Sequence, residues 1–175
     1  MYQKSNVDAE ICIYAIENML SSSKCFIMLV GVPGCGKTDF IKKYFPNVQT
    51  VNSGMVRREI FDGDPDKEFS IIEFNDEIKS RLNSILESGS SVIYDSSNCY
   101  SRHRYDILNS VEENCDFKIG IFLNKSLIKC LQELQNTSMP EEKIESMHWA
   151  VTKKPPSVKE GFNIVLEIDM NESEA

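Results

Sequence analysis

Eight consecutive residues, Gly31-Val32-Pro33-Gly34-Cys35-Gly36-Lys37-Thr38, fit the spacing GxxxxGK(S/T). That spacing has a chemical reason. Glycines at the fixed positions let successive backbone N–H groups turn inward around a β-phosphate, and the start of a following helix adds partial positive charge. Lys37 then reaches the β- and γ-phosphates, and the Thr38 hydroxyl ligates Mg²⁺. Asp39, one residue on, completes the set Gly31 to Asp39 expected to touch the ligand. A loop of this kind also needs a carboxylate at the end of a neighbouring strand to hold the metal through water. Val92-Ile93-Tyr94-Asp95 offers one, so Asp95 is the second expected Mg²⁺ residue; its alternative reading is a turn residue, since Ser96, Ser97 and Asn98 follow.

These groups work only if the chain between them builds the right frame. Cys25 to Val30 is a short unbroken apolar run directly before the loop, the look of a strand buried on both faces. Similar runs recur at Val48 to Val51, Ser91 to Tyr94, Phe117 to Leu123 and Phe162 to Ile168. Helix-length segments alternate with them: Thr38 to Phe45, Phe69 to Leu86, Arg102 to Val111, Leu127 to Leu134 and Glu141 to Val151. Alternation of this kind predicts an α/β fold of three layers, α/β/α, around a five-stranded parallel sheet, the P-loop NTPase arrangement. Ahead of it, Ile11, Ala15, Ile16, Met19 and Leu20 recur at helical spacing between Asp8 and Leu20. Residues 1–24 are therefore expected to form an appended N-terminal helix, residues 25–170 the core, and residues 171–175 a frayed acidic tail.

Composition narrows the partners. With 175 residues and 41% hydrophobic content, a core of ordinary size and one active site are expected. The six cysteines fall in no CxxC or Cys/His pairing, and no long apolar run interrupts the chain, so a reduced, cytoplasmic protein without zinc or membrane contact is expected. A net charge of −8 disfavours extended nucleic acid, while a single end held by one or two arginines stays open. His148 is assigned no role, and the seven methionines are too dispersed for a partner groove.

The whole pattern resembles the polynucleotide-kinase-like P-loop kinases, related to zeta-toxin-like and other AAA-type kinases. The resemblance runs from Cys25 to Ile168 and rests on several blocks beside the loop. They are Val51-Asn52-Ser53-Gly54 with Arg57-Arg58-Glu59-Ile60, Val92 to Asn98 with Arg102 and Arg104, Met139-Pro140-Glu141-Glu142, and Pro155-Pro156 ahead of Glu160-Gly161-Phe162. Such a likeness implies transfer of the γ-phosphate of ATP to a hydroxyl, with Lys37 stabilising charge, Thr38 and Asp95 holding Mg²⁺, and Arg57 meeting the acceptor's phosphate or the γ-phosphate. It also implies a lid, here around residues 132–140, and leaves Asn98 either to fix its loop or to touch substrate.

Two positions depart from the family. Its members carry an Asp three residues before the arginine that matches Arg57, to accept the acceptor's proton; this chain has Gly54. Asp95 or Glu59 then serves, or no base does, or transfer is lost. Its members also place arginines in the lid, where this chain reads Gln132-Glu133-Leu134-Gln135-Asn136-Thr137-Ser138, flanked by Lys125, Lys129 and Lys143. The expected activity is an ATP-dependent phosphotransferase acting on a small molecule, a nucleoside or nucleotide, or a nucleic-acid 5′ end. The alternative is a catalytically impaired nucleotide-binding switch. Asn124-Lys125 is followed by Ser126-Leu127 and makes no guanine motif, so ATP is expected ahead of GTP.

Overall fold

Both faces of the Cys25–Val30 strand are covered, which is why its sequence is apolar without alternation: all six residues of β1 are buried. In the computed structural model, which describes residues 6–61 and 70–171, β1 is the middle strand of a five-stranded sheet. Its companions are β2 (Gln49–Asn52), β3 (Val92–Asp95), β4 (Phe117–Asn124) and β5 (Ile164–Asp169), in the order β2-β3-β1-β4-β5. Every pairing is parallel. The carboxyl ends of all five strands therefore face the same way, and the order reverses direction on either side of β1. Ligands of open α/β sheets bind at such a point.

Among the described residues the helices are α1 (Asn6–Leu20), α2 (Lys37–Tyr44), α3 (Ser53–Phe61), α4 (Ile71–Glu87), α5 (Ser101–Ser110), α6 (Leu127–Glu133) and α7 (Glu141–Lys153), with a 3-10 turn at Val158–Glu160. Helix α4 begins where its sequence builds a capping box: Ser70 Oγ accepts from the Glu73 N–H at 3.1 Å and Glu73 Oε2 accepts from the Ser70 N–H at 3.1 Å. The start expected at Phe69 lies outside the described residues. Helix α1 lies against β5, with Ala9, Ile13 and Ile16 joining the buried cluster of the core.

Three expectations need correcting. A helix at Ser53–Phe61 was not anticipated, because Gly54 and the short apolar pattern conceal it; Asn52 supplies the start, its Oδ1 accepting from the Met55 N–H at 2.9 Å. The last strand starts at Ile164, not Phe162, since Phe162 turns its ring onto the backbone of Gly120 and packs in the core. Asn171 is no frayed tail residue: its Oδ1 accepts from the Ser126 N–H at 2.7 Å and its amide donates to Asp169 Oδ1 at 2.7 Å. That ties the end of β5 to the start of α6.

One buried cation holds the far side of the frame. Arg104, fully buried on α5, donates to both carboxylate oxygens of Glu160 at 2.8 and 2.6 Å, to the carbonyls of Asn98 and Cys99 at 3.0 and 3.1 Å, and to the Lys154 carbonyl at 2.7 Å. All of its N–H donors are thus engaged, and the loop after β3 is fastened to the end of α7. Removing the cation strands a partly buried carboxylate and three carbonyls. Arg104→Met is expected to cost about 3–5 kcal/mol in urea unfolding, whereas the exposed Arg102→Met stays within about 0.5 kcal/mol. Equal, small effects from both would contradict the clamp.

Candidate functional site

Because the parallel strands end together, residues at or after the ends of β1, β2, β3 and β4 converge on one cleft of about 550 Å³. From the loop after β1 it is lined by Pro33, Gly34, Gly36, Lys37, Thr38 and Asp39. Asn52 to Gly54 enter from the end of β2, Asp95 to Ser97 from β3, and Lys125 with Glu133 from the β4 side.

The loop's shape is set from outside. The Gly31 N–H donates to the Ser97 carbonyl at 2.9 Å, and Asn98 Nδ2 donates to the Leu29 carbonyl at 2.7 Å, splicing the loop after β1 to the loop after β3. Asn98 itself takes a left-handed turn at φ +48°. Its fixing of the loop is the role visible in the geometry. Gly34 sits so close to α6 that a Cβ would stand 2.7 Å from the Cys130 carbonyl oxygen. At Gly36 a Cβ would meet only Met170 Cε at 3.4 Å, so the glycine there answers to its left-handed φ of +96° rather than to crowding by the protein.

Lys37 is held at the loop, its ammonium donating to the carbonyls of Gly31 at 2.7 Å and Val32 at 3.0 Å. Gly31, Val32 and Cys35 are buried beneath the cleft rather than lining it. Burial pushes two neighbouring thiols up, Cys99 to about 12 and Cys130 to about 11, which favours their protonated forms at neutral pH.

Asp95 is 4% exposed, and its Oδ2 accepts from Asn52 Nδ2 at 2.7 Å, the two residues being direct partners in the β2–β3 register. Beside it, burial pushes the Tyr94 hydroxyl up to about 12, with the Asp95 charge contributing. Thr38 and Asp95 therefore share the cleft and present hard oxygen donors. Among the described residues no group of three or more His, Cys, Asp or Glu side chains could hold a metal by itself. That donor set fits Mg²⁺, which takes one or two protein oxygens and completes its shell from phosphates and water.

Of the residues expected to carry catalysis, Lys37 and Asp95 line the cleft and Arg57 does not. Its guanidinium lies over the Phe74 ring, 4.9 Å from the centroid, and its side of α3 is exposed. Glu59 is also elsewhere, paired with Arg81 at 2.5 Å and lining a separate groove. Lys125 does reach the cleft. It is 13% exposed and bridges the Gly34 carbonyl at 3.2 Å and Glu133 Oε1 at 3.1 Å. Lys129 instead donates to the Asn171 carbonyl. Asn52 and Glu133 were given no role from sequence; the signal for Asn52 was its place at a parallel strand's end, where every neighbour faces the site.

A family model described as an AAA domain matches residues 26–148. A search of curated protein sequences finds no match. Among solved structures, a chain of the Pnkp1/Rnl/Hen1 RNA repair complex is 18% identical with a TM-score of 0.65, over 81% of this chain and 47% of that one. The chain thus spans about half the length of that relative. Kti12 from Chaetomium thermophilum, solved with ADP-AlF3, is 13% identical with a TM-score of 0.64, over 85% of this chain and 91% of that one. A gluconokinase from Sinorhizobium meliloti 1021 is 15% identical with a TM-score of 0.57, over 84% and 83% of the two chains. At these identities the likeness is one of fold. Among the described residues no helix is long and apolar enough to cross a membrane.

The backbone at Gly36 gives a direct check. Forcing a side chain into its left-handed conformation with Gly36→Ala is expected to cost about 1–2 kcal/mol in urea unfolding. An alanine variant as stable as the parent would contradict the conformation described.

Proposed function

The chain belongs to the AAA domain family of P-loop kinase-like proteins, and on that premise we propose that it transfers the γ-phosphoryl group of ATP to a hydroxyl. The observation that carries this reading is the convergence of Lys37, Thr38 and Asp95 on one cleft walled by the glycine loop. The loop amides and Lys37 receive the triphosphate, and they sit where charge develops as the phosphoryl group moves. Thr38 and Asp95 would hold Mg²⁺, which neutralises that charge when bound. Catalysis is then a matter of position: the bond from γ-phosphorus to the ADP oxygen breaks as the bond to the acceptor oxygen forms, and the hydroxyl proton goes to a base.

Gly54 cannot be that base. Glu59 is committed to Arg81, which leaves Asp95 as the buried carboxylate sharing the cleft with Gly54. The Asn52 hydrogen bond occupies one of its oxygens and leaves the other for the proton or the metal's water. Lys125 supplies the cation that the lid lacks: it stands at the loop, and a triphosphate competes with Glu133 for its ammonium. Arg57, its guanidinium over the Phe74 ring and outside the cleft, is given no part in this transfer. The net charge of −8 favours a small acceptor or a single nucleic-acid end over an extended strand.

Gly54 and the arginine-free lid favour a second reading, a switch that binds nucleotide without transferring it. A screen with γ-labelled ATP against nucleosides, sugars, 5′-hydroxyl oligonucleotides and protein separates the two. Labelled acceptor that disappears in Lys37→Ala is expected; binding with no labelled acceptor would support the switch. A second variant tests the base. Gly54→Asp is expected to raise transfer by about 10²-fold or more if it restores a proton acceptor, although its Cβ would come within 3.2 Å of Asn52 Oδ1 and must displace it slightly. No gain would place the acceptor elsewhere.

A further inference from the structure

Away from the phosphate cleft, a cavity of about 480 Å³ opens between the start of α5 and the segment that follows α7. Arg102 and Tyr105 line it from α5, and Lys154, Pro155, Lys159 and Glu160 from the other side. It shares no lining residue with the cleft.

Three cations thus meet at one cavity of a molecule that carries −8 overall. Elsewhere cations find carboxylates: Lys79 holds Asp106, Arg81 holds Glu59 and Glu77, and Lys125 holds Glu133. Among the described residues the side chains of Arg102, Lys154 and Lys159 enter no ion pair and no hydrogen bond. Glu160, the carboxylate of the lining, does not answer them, because its two oxygens accept from Arg104 at 2.8 and 2.6 Å. Like charges held together without a counter-charge repel one another and attract an anion. A phosphate monoester carries about −1.5 to −2 at neutral pH, so one leaves a cation unanswered and two phosphate groups cover all three. Arg102 offers a planar fork that grips phosphate oxygens in pairs, and the lysines act as mobile point charges beside it. Tyr105 and Pro155 add an apolar wall for the organic part of an ester. The volume lies in the roughly 300–1,000 Å³ range of small-ligand sites.

We propose that this cavity is a second anion site, which takes a small phosphate ester with two phosphate groups through Arg102, Lys154 and Lys159. It does not rest on the reading of Gly31–Thr38 as a triphosphate loop, and either site can fail without the other. A ligand there bridges α5 to the segment after α7, the two pieces that Arg104 joins from within.

The test is an NMR titration of the unaltered protein, without metal, using pyrophosphate, methyl phosphate and a single-stranded thymidine oligonucleotide in turn. The two sites report through separate amides, those of Arg102, Lys154 and Lys159 here and those of Gly34 to Thr38 at the loop. Pyrophosphate is expected to move the first set, and methyl phosphate to bind there about 10-fold more weakly, having lost a charge-assisted contact. Exchanging two exposed cations together, Arg102→Gln with Lys159→Gln, is expected to weaken pyrophosphate at the first set by about 10-fold or more and at the loop by less than about 2-fold. Lys143→Gln, which removes an exposed charge from the start of α7, is expected to change neither by more than about 2-fold. First-set amides unmoved by millimolar pyrophosphate at low salt, an equal response to methyl phosphate, or a folded double variant that binds as the parent does, overturns the proposal. The comparison of ligands on the unaltered protein stands if the variant fails to fold. An oligonucleotide that moves the same amides at lower concentration than pyrophosphate gives the cavity to a nucleic-acid strand and overturns the small-ligand assignment.

Discussion

The structure depends on one constraint: the loop of Gly34 to Thr38 has to keep its shape although, apart from Cys35, whose N–H donates to the Val32 carbonyl at 3.3 Å, its amides are not spent on holding it. Free amides do not stabilise their own loop, so the shape is imposed by neighbours. The splice between Gly31 and Ser97 and between Asn98 and Leu29 does this from the β3 side, and the close approach of Gly34 to Cys130 does it from α6. Arg104 stands behind the splice, since it grips the carbonyls of Asn98 and Cys99 and anchors them to Glu160. A chain of hydrogen bonds thus runs from the last 3-10 turn to the phosphate loop. Pre-set geometry of this kind is what makes dipoles useful at the moment charge develops.

Charge is distributed to the same end. The molecule carries −8 overall, and the cleft sets Lys37 and Lys125 beside the loop, with Asp39, Asp95 and Glu133 also in its lining. Lys125 is held by a carbonyl and by an exposed carboxylate, Glu133, partners that a triphosphate can replace. On the other side of the cleft, Asp95 is ordered by Asn52, so different strand ends bring different polar groups to it. The parallel sheet makes this division possible, because it delivers five strand ends to one edge.

Much of this was legible in the sequence, for identifiable reasons. The Cys25–Val30 run and the loop behind it read directly, because a strand buried on both faces is apolar throughout and a phosphate loop tolerates few residue types. Asp95 followed from its place at the end of an apolar run. What did not read was set by long-range contacts. The helix at Ser53–Phe61 depends on an Asn52 cap, and the fate of Phe162 depends on the bare backbone of Gly120 far away in the chain. Arg57 looked suited to the site by analogy, but the ring of Phe74 holds its guanidinium away from the cleft. Lys125 looked like one of three flanking lysines, and only the fold distinguishes it from Lys129 and Lys143. The described end of the chain, Asn171, reads as polar tail until Ser126 and Asp169 are found beside it.

The central claim is that main-chain amides at the start of α2 wrap the phosphates. Amide chemical shifts measured by NMR as ATP and Mg²⁺ are added test it most directly. The largest changes are predicted at Gly34, Gly36, Lys37 and Thr38, the pattern of N–H groups turning onto an anion. Shifts that concentrate elsewhere, with those four amides unmoved at saturation, would contradict the account.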